Sequence, residues 1–319
     1  MKRMAIALLL ATPWVGGAFA QTYPTKPVRM IVNYPPGGPT DLVGRLTAQY
    51  LTEVLGQQVV VENRGGAGGT VGASVVVKSP PDGHTLTLAA NGEIAIAPNL
   101  YAKLPYDPRR DLAPISRIGA SQLLLVVHPS LPVRSVKELV AMARARPGVI
   151  NFASAGTGST AHLCAELLKS LAKIDIVHVP YKGAGPALSE LMGGQVEMLI
   201  TGVSSAMPHV KAGKLRALAS TGAQRLAIAP DLPVIGETVP GYQANSWYGV
   251  LAPAGTPQPI VERLYGELAK MVQRPDLKDR LAGLGIEPEG TAPARFAEQI
   301  REEIALWGKV VKAAGVKVE

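Results

Sequence analysis

The chain has one cysteine, Cys164, among 319 residues, so no internal disulfide can form and packing alone must hold the fold. Cys164 falls on an apolar helical face, a place for burial rather than for thiol chemistry. Aromatic residues make up only 5% of the sequence, and the basic residues are scattered, Arg109-Arg110 and Arg144-Ala145-Arg146 being the nearest approach to a patch. Stacking platforms and an electrostatic stripe are both missing, which excludes nucleic acid as a partner. The five histidines, His84, His128, His162, His178 and His209, show no paired ligand spacing, and one thiol cannot build a cluster. No metal and no cofactor are expected. Beyond the first twenty or so residues no apolar run reaches the roughly eighteen needed to cross a bilayer as a helix.

What is present begins with MKRMAIALLLATPWVGGAFAQ. Lys2 and Arg3 lead, an apolar stretch follows, Pro13, Gly16 and Gly17 interrupt it, and Ala18 and Ala20 flank Phe19. This pattern predicts a secretory signal cleaved after Ala20 and export to the periplasm. Loss of Lys2 and Arg3 lowers the formal charge from +8 to +6, a mild positive field that suits small anions in a cleft. A mature chain of about 300 residues, 47% apolar over the whole sequence, is large enough to divide its core between two domains.

Short β-branched runs alternate with amphipathic helical patterns, which predicts an α/β fold with largely parallel sheets. Strands are expected at 28–32, 59–61, 85–88, 122–127, 149–153, 174–179, 196–200 and 215–219, with long helical patterns at 259–272, 276–284 and 293–314. The chain is expected to pass between two lobes near 122–128 and again near 245–252. The first lobe then comprises 21–123 with 249–319, the second 124–248, leaving a cleft and two hinge strands.

Three loops share one design in which a strand ends, glycines follow and a helix begins. They are Tyr34-Pro35-Pro36-Gly37-Gly38-Pro39-Thr40-Asp41, Ser154-Ala155-Gly156-Thr157-Gly158-Ser159-Thr160 and Tyr181-Lys182-Gly183-Ala184-Gly185-Pro186. The first amides of each helix lack intrahelical partners and carry the positive end of the helix dipole. Glycine allows close approach, and Thr40, Ser154, Ser159 and Thr160 add hydroxyls, a combination suited to carboxylate. Capping alone explains any one such loop; two in opposite lobes favour a shared ligand site. Asp41 would repel an anion, so helix capping or an amino-group contact fits it better. His162, in the first turn after the glycine loop, is open to a cleft-facing or a packing role.

Other chemistries fail on spacing. The glycine loop matches a dinucleotide fingerprint at Gly156, Gly158 and Ala161, but the following acidic residue, Asp175, opens the next strand instead of ending it. Glu62 to Gly72 lacks the Gly-Lys-Ser/Thr ending of a phosphate loop. Ser154 lacks the leading glycine of a nucleophile elbow, although a secreted hydrolase using Ser154 or Ser159 with His162 stands as the competing reading.

Eight motifs in order carry a resemblance: YPPGGPTD at 34–41, ENRGGAGGTVGA at 62–73, SPPDGHTL at 79–86, SAGTGST at 154–160, HVPYKG at 178–183, GGQVEM at 193–198, AGKLRALA at 212–219 and LAPAGTP at 251–257. Across the whole mature chain the sequence resembles the Bug-type solute-binding proteins of tripartite tricarboxylate transporters. The resemblance implies a two-lobed type II periplasmic binding-protein fold with a central cleft, no enzymatic activity, a small mono-, di- or tricarboxylate ligand, aromatic ones included, and delivery to membrane permease subunits by a monomer. A sensor kinase is an additional partner to consider. Carried over by motif, Tyr34, Gly37, Gly38, Thr40 and Asp41 line one wall, Ser154, Gly158, Ser159 and Thr160 the other, and Asn91 is a further cleft position. Thr201 stands where the family often has aspartate, which weakens the case for an amino acid. Trp247 and Tyr248, at the second crossing, are candidates for the cleft.

Overall fold

The computed structural model describes residues 23–226 and 228–316, so the expected signal segment and its cleavage site lie outside the described residues. The chain opens with β1 (Val28–Val32), α1 (Pro39–Leu55), β2 (Val59–Asn63), α2 (Thr70–Val77) and β3 (Thr85–Ala90). A wide turn of π type at Gly92–Ile96 continues into α3 (Ala97–Leu100), and α4 (Pro108–Asp111) leads into β4 (Leu112–Val127). Then come α5 (Val136–Ala145), β5 (Asn151–Ser154), α6 (Thr160–Ala172), β6 (Val177–Pro180), α7 (Ala184–Met192), β7 (Met198–Gly202), α8 (Val203–Lys211) and β8 (Arg216–Ser220). The chain returns through β9 (Asn245–Pro253), α9 (Gln258–Met271), α10 (Pro275–Gly283), β10 (Ile286–Thr291) and α11 (Pro293–Ala314).

β4 organises the fold. Its first part, Leu112 to Gln122, pairs antiparallel with β9, and its stretch Arg117 to Ser121 pairs antiparallel with β10. The remainder, Leu123 to Val127, pairs antiparallel with β7 and β8. Beyond β9 the sheet continues β3-β1-β2, with β1 parallel to both its neighbours; beyond β7 it continues β5-β6 in parallel. Leu123 to Val127 are all buried, as expected of strand residues covered on both faces, and this LLLVV run is the part of β4 that hydrophobicity alone identifies.

The parallel units place the site. Within each half of the sheet the parallel strands end at one edge, where a loop turns into the N-terminus of the next helix; β1 to β3 run opposite to β5 to β7, so the two edges face each other across β4 and β9, and such edges are where open α/β sheets bind ligands. β1 feeds α1, β5 feeds α6, β6 feeds α7 and β7 feeds α8. Trp247 lies flat in the core instead, perpendicular to Phe296 at 5.1 Å, with its indole N–H donating to Glu303 at 2.6 Å. Tyr248 is also buried among core side chains. Neither reaches the cleft; Ser246, one residue earlier in β9, does.

Candidate functional site

The two parts of the sheet bring their loop edges into contact. Gly38 at the start of α1 approaches Ala184 of α7, Pro39 packs against Gly202 at the end of β7, and Pro35 packs against Gly183. Gly68, with φ of +65°, lies against the Thr157 carbonyl and the backbone of Gly158. An added Cβ at any of Gly68, Gly183 or Gly202 would clash with the facing wall, so these glycines set how closely the walls approach.

Between the walls is a cavity of about 60 Å³. Tyr34, Gly38 and Thr40 line it from one side, Ser159, Thr160 and Thr201 from the other. Pro35, Pro39, Ala90, Leu123, Ala155, Ala184, Gly202 and Ser246 also contribute. The first turns of α1, α6 and α7 therefore open onto one space, joined by Gly202 just before α8, and among the described residues no Asp, Glu, Lys, Arg or His lines it. Three helix N-termini with their dipoles face this space, and no charged side chain among the described lining residues competes for an anion.

The remaining sequence-predicted residues stand behind this lining. Gly37, with φ of +87°, donates its N–H to Asp41 Oδ2 at 3.0 Å, so Asp41 stabilises the turn before α1. Arg45 and Asn63 also donate to that carboxylate, at 3.0 and 2.9 Å. Burial alone would raise the Asp41 pKa, but these donors outweigh it and hold the group below its ordinary range. Asn91 is fully buried and ties the walls together: its Oδ1 accepts from the Thr160 hydroxyl and, at 3.4 Å, from Ser246, while Nδ2 donates to the Asn245 carbonyl at 3.0 Å.

Ser154, Gly158 and His162 form the underside of the glycine loop. Ser154 Oγ is 2.6 Å from His178 Nε2 and accepts from the Gly156 N–H at 3.1 Å. Ser159 caps α6, accepting from the His162 N–H, and the His162 ring accepts from the Gly158 N–H at 3.2 Å. The two imidazoles stack at 3.9 Å, with Phe152 4.9 Å from His178. The serine hydrolase reading fails on this geometry. Ser154 is fully buried with its hydroxyl committed to His178, Ser159 is committed to capping, and neither hydroxyl is paired to the His162 ring.

Burial pushes His162 down to about 3, with His178 beside it adding to the effect, and burial pushes His178 down to about 4. Both are neutral in the folded protein near pH 7 and protonate more readily when unfolded. Their contribution to stability is complete above the unfolded value of 6.5 and is lost as pH falls through about 4. In His178→Asn, denaturation measured from pH 7 down to 4 should show a shallower acid loss than wild type, by at most about 1.4 kcal/mol per pH unit.

Sequence reasoning missed two features here. α8 starts without a side-chain cap, directly at Gly202. Glu93 is fully buried and joins three parts of the first wall, accepting from Asn33 Nδ2 at 2.8 Å and the Ala90 N–H at 2.9 Å and lying 3.2 Å from the Tyr34 hydroxyl. One acidic residue directly before the apolar run Ile94 to Ala97 was its only signal.

A family profile described as "Tripartite tricarboxylate transporter family receptor" matches residues 43–316. The chain is 37% identical to Protein BugT of Bordetella pertussis over 317 residues, 98% of this chain and 97% of that one. Among solved structures, an R. palustris protein with adipate superposes with a TM-score of 0.90 at 39% identity, covering 92% of this chain and 99% of the other. MatC from Rhodopseudomonas palustris with bound malate gives 0.86 at 35% identity, covering 91% and 100%. The periplasmic binding protein BugD gives 0.89 at 33%, covering 93% and 100%. With its sequence and its fold matched over nearly its whole length, this chain belongs to the receptors of the tripartite tricarboxylate transporter family, which bind solutes and are not enzymes.

Proposed function

We propose that the protein captures a small carboxylate in the cavity between the walls and delivers it to the permease subunits of a tripartite transporter. The observation that carries this is the convergence of the N-termini of α1, α6 and α7 on a space lined, among the described residues, by no charged side chain. Solved relatives hold adipate and malate, both carboxylates. Tyr34, Gly38, Thr40, Ser159, Thr160 and Thr201 contact the ligand. Gly37, Asp41, Asn91, Ser154, Gly158 and His162 hold the loops in shape behind them.

The lobes are 21–123 with 249–319 and 124–248. β4 and the start of β9 are the hinge strands, and bending there parts Pro39 from Gly202 and Gly68 from Thr157 to admit solute. The mature protein begins after Ala20, works in the periplasm and acts as a monomer, with a sensor kinase as a second reader of the closed form. Calorimetric titration with a panel of carboxylates, after unfolding and refolding to strip retained solute, should yield at least one ligand with Kd of about 10 μM or tighter. A panel in which nothing binds more tightly than about 1 mM refutes the proposal.

A further inference from the structure

The loops that face one another across the cavity meet through ring carbons and backbone: Pro39 against Gly202, Pro35 against Gly183, and Gly68 against Thr157 and Gly158. Such contacts hold the walls close but have little direction. Ion pairs add nothing, because among the described residues none joins 21–123 or 249–319 to 124–248. Hydrogen bonding adds one link. With the crossing strands β4 and β9 set aside, the single side-chain hydrogen bond between the two halves among the described residues runs from the Thr160 hydroxyl to Asn91 Oδ1.

Asn91 is built to receive that bond. It directly follows β3 on the first side, is fully buried and lies outside the cavity lining. Its Nδ2 donates to the Asn245 carbonyl at 3.0 Å and its Oδ1 accepts from Ser246 at 3.4 Å, both in β9. Turning the amide over would set Oδ1 against that carbonyl, so the acceptor stays aimed at Thr160. Thr160 is the first residue of α6 on the other side, one past the Ser159 cap, and it does line the cavity. A hydroxyl has one proton, and Thr160 gives it to Asn91. Toward a carboxylate Thr160 therefore offers its backbone N–H, which has no intrahelical partner at the first helical position, while its side chain holds the opposite lobe.

Resting on the carboxylate-receptor reading and its two lobes, we infer that Asn91 is a positioning residue that latches the closed form through Thr160. Parting of the lobes breaks this bond, and both groups turn to water. A carboxylate seated on the first turn of α6 fixes Thr160 where Asn91 can accept from it, so capture of the acid and closure of the lobes are completed together. The bond forms after encounter, and its contribution lies in how long the acid stays rather than in how fast it arrives.

The test measures association and dissociation of isotope-labelled malate and adipate, or of the tightest acid in the wider panel if neither binds, by rapid filtration on the refolded protein. Asn91→Ala should release the acid about five- to tenfold faster, the effect of one buried hydrogen bond, with association changed by less than about twofold. Thr160→Val breaks the same bond from the other lobe, keeps the branched shape and the backbone N–H, and leaves the ties of Asn91 to Asn245 and Ser246 in place. It should speed release to a similar degree. In the double variant release should be no more than about twofold faster than in the faster single variant, because both substitutions remove one bond. Were Asn91 only a brace between β3 and β9, the two effects would multiply. The inference is overturned if Asn91→Ala releases the acid as slowly as wild type, if the loss falls on association, or if the two effects multiply. If Asn91→Ala does not fold, Thr160→Val decides: unchanged release overturns the inference, and faster release with unchanged association supports it. Failure of every carboxylate in the panel removes the receptor reading and this inference together; tight binding with no coupling between the two substitutions removes this inference alone.

Discussion

Replacing Gly202 with alanine is expected to weaken binding of the captured acid by about ten- to a hundredfold while leaving the unliganded protein folded as before. Gly202 closes β7 with φ of −60° and ψ of 144°, a conformation alanine adopts without strain. The cost arises only across the cleft, where the new methyl would run into the Pro39 ring. Pro39 is the first residue of α1 and its ring cannot rotate away, so relief requires the two walls to stay apart. Overpacking of this kind costs about 1–3 kcal/mol, charged wholly to the closed form, and that is the tenfold to hundredfold loss. Calorimetry with the best acid from the panel reads the affinity, and small-angle scattering reads how open the liganded variant remains. Unchanged affinity in Gly202→Ala would show that the contact between β7 and α1 is not part of the ligand-bound state. Gly68→Ala would weaken binding too, but its φ of +65° adds backbone strain and confuses the two effects.

The same pair of residues shows what a sequence can and cannot disclose. The turn before α1 and the loop before α6 were readable because glycines, a proline at the first helical position and hydroxyl caps are local signals with local causes. The start of α8 was not readable, since only Gly202 precedes it and Pro208 lies inside the helix. β4 makes the point at larger scale. Its Leu123 to Val127 half announces itself by hydrophobicity, but Leu112 to Gln122 mixes Gly119 with Arg117, Ser116 and Ser121. That half is a strand because β9 and β10 pair with it from far along the chain, Leu112 opposite Pro253 and Ser121 opposite Ile286. Tertiary pairing overrides weak local preference there. Six of the twelve residues assigned to the site do line the cavity; of those behind it, Asp41 was readable as a carboxylate suited to capping, but that Asn91 spends its hydrogen bonds within the protein was not readable. Trp247 suggested a ligand contact by its place near the crossing, whereas its size and its bond to Glu303 hold it in the core.

Glu93→Gln should abolish a loss of stability that the wild-type protein suffers between acidic and mildly alkaline pH. Burial pushes the Glu93 carboxyl up to about 7, against the pull of its donors Asn33 and the Ala90 N–H. A group whose folded pKa lies above its unfolded one binds protons more tightly when folded. Its stabilising contribution is therefore complete below the unfolded value of 4.5 and is lost as pH rises through 7, a loss of about 3 kcal/mol once ionisation is complete. The protonated carboxyl has a use for its hydrogen: Oε1 accepts from Asn33 and Ala90, and Oε2 can donate to the Tyr34 oxygen, whose own hydrogen goes to the Gly68 carbonyl. Glutamine supplies the same pattern, its amide oxygen accepting and its NH₂ donating, without a titratable proton. At pH 8.5 Glu93→Gln should exceed wild type by about 3 kcal/mol in urea denaturation, or about 5 °C in midpoint, and at pH 4.5 the two should coincide. Ionisation also sets a negative charge behind Tyr34, on the wall of the cavity, so wild-type affinity for a carboxylate should fall above pH 7 while that of the variant holds. Parallel stability curves for the two proteins across this range would mean that Glu93 does not titrate there, and that the link from Tyr34 to Gly68 holds without its proton.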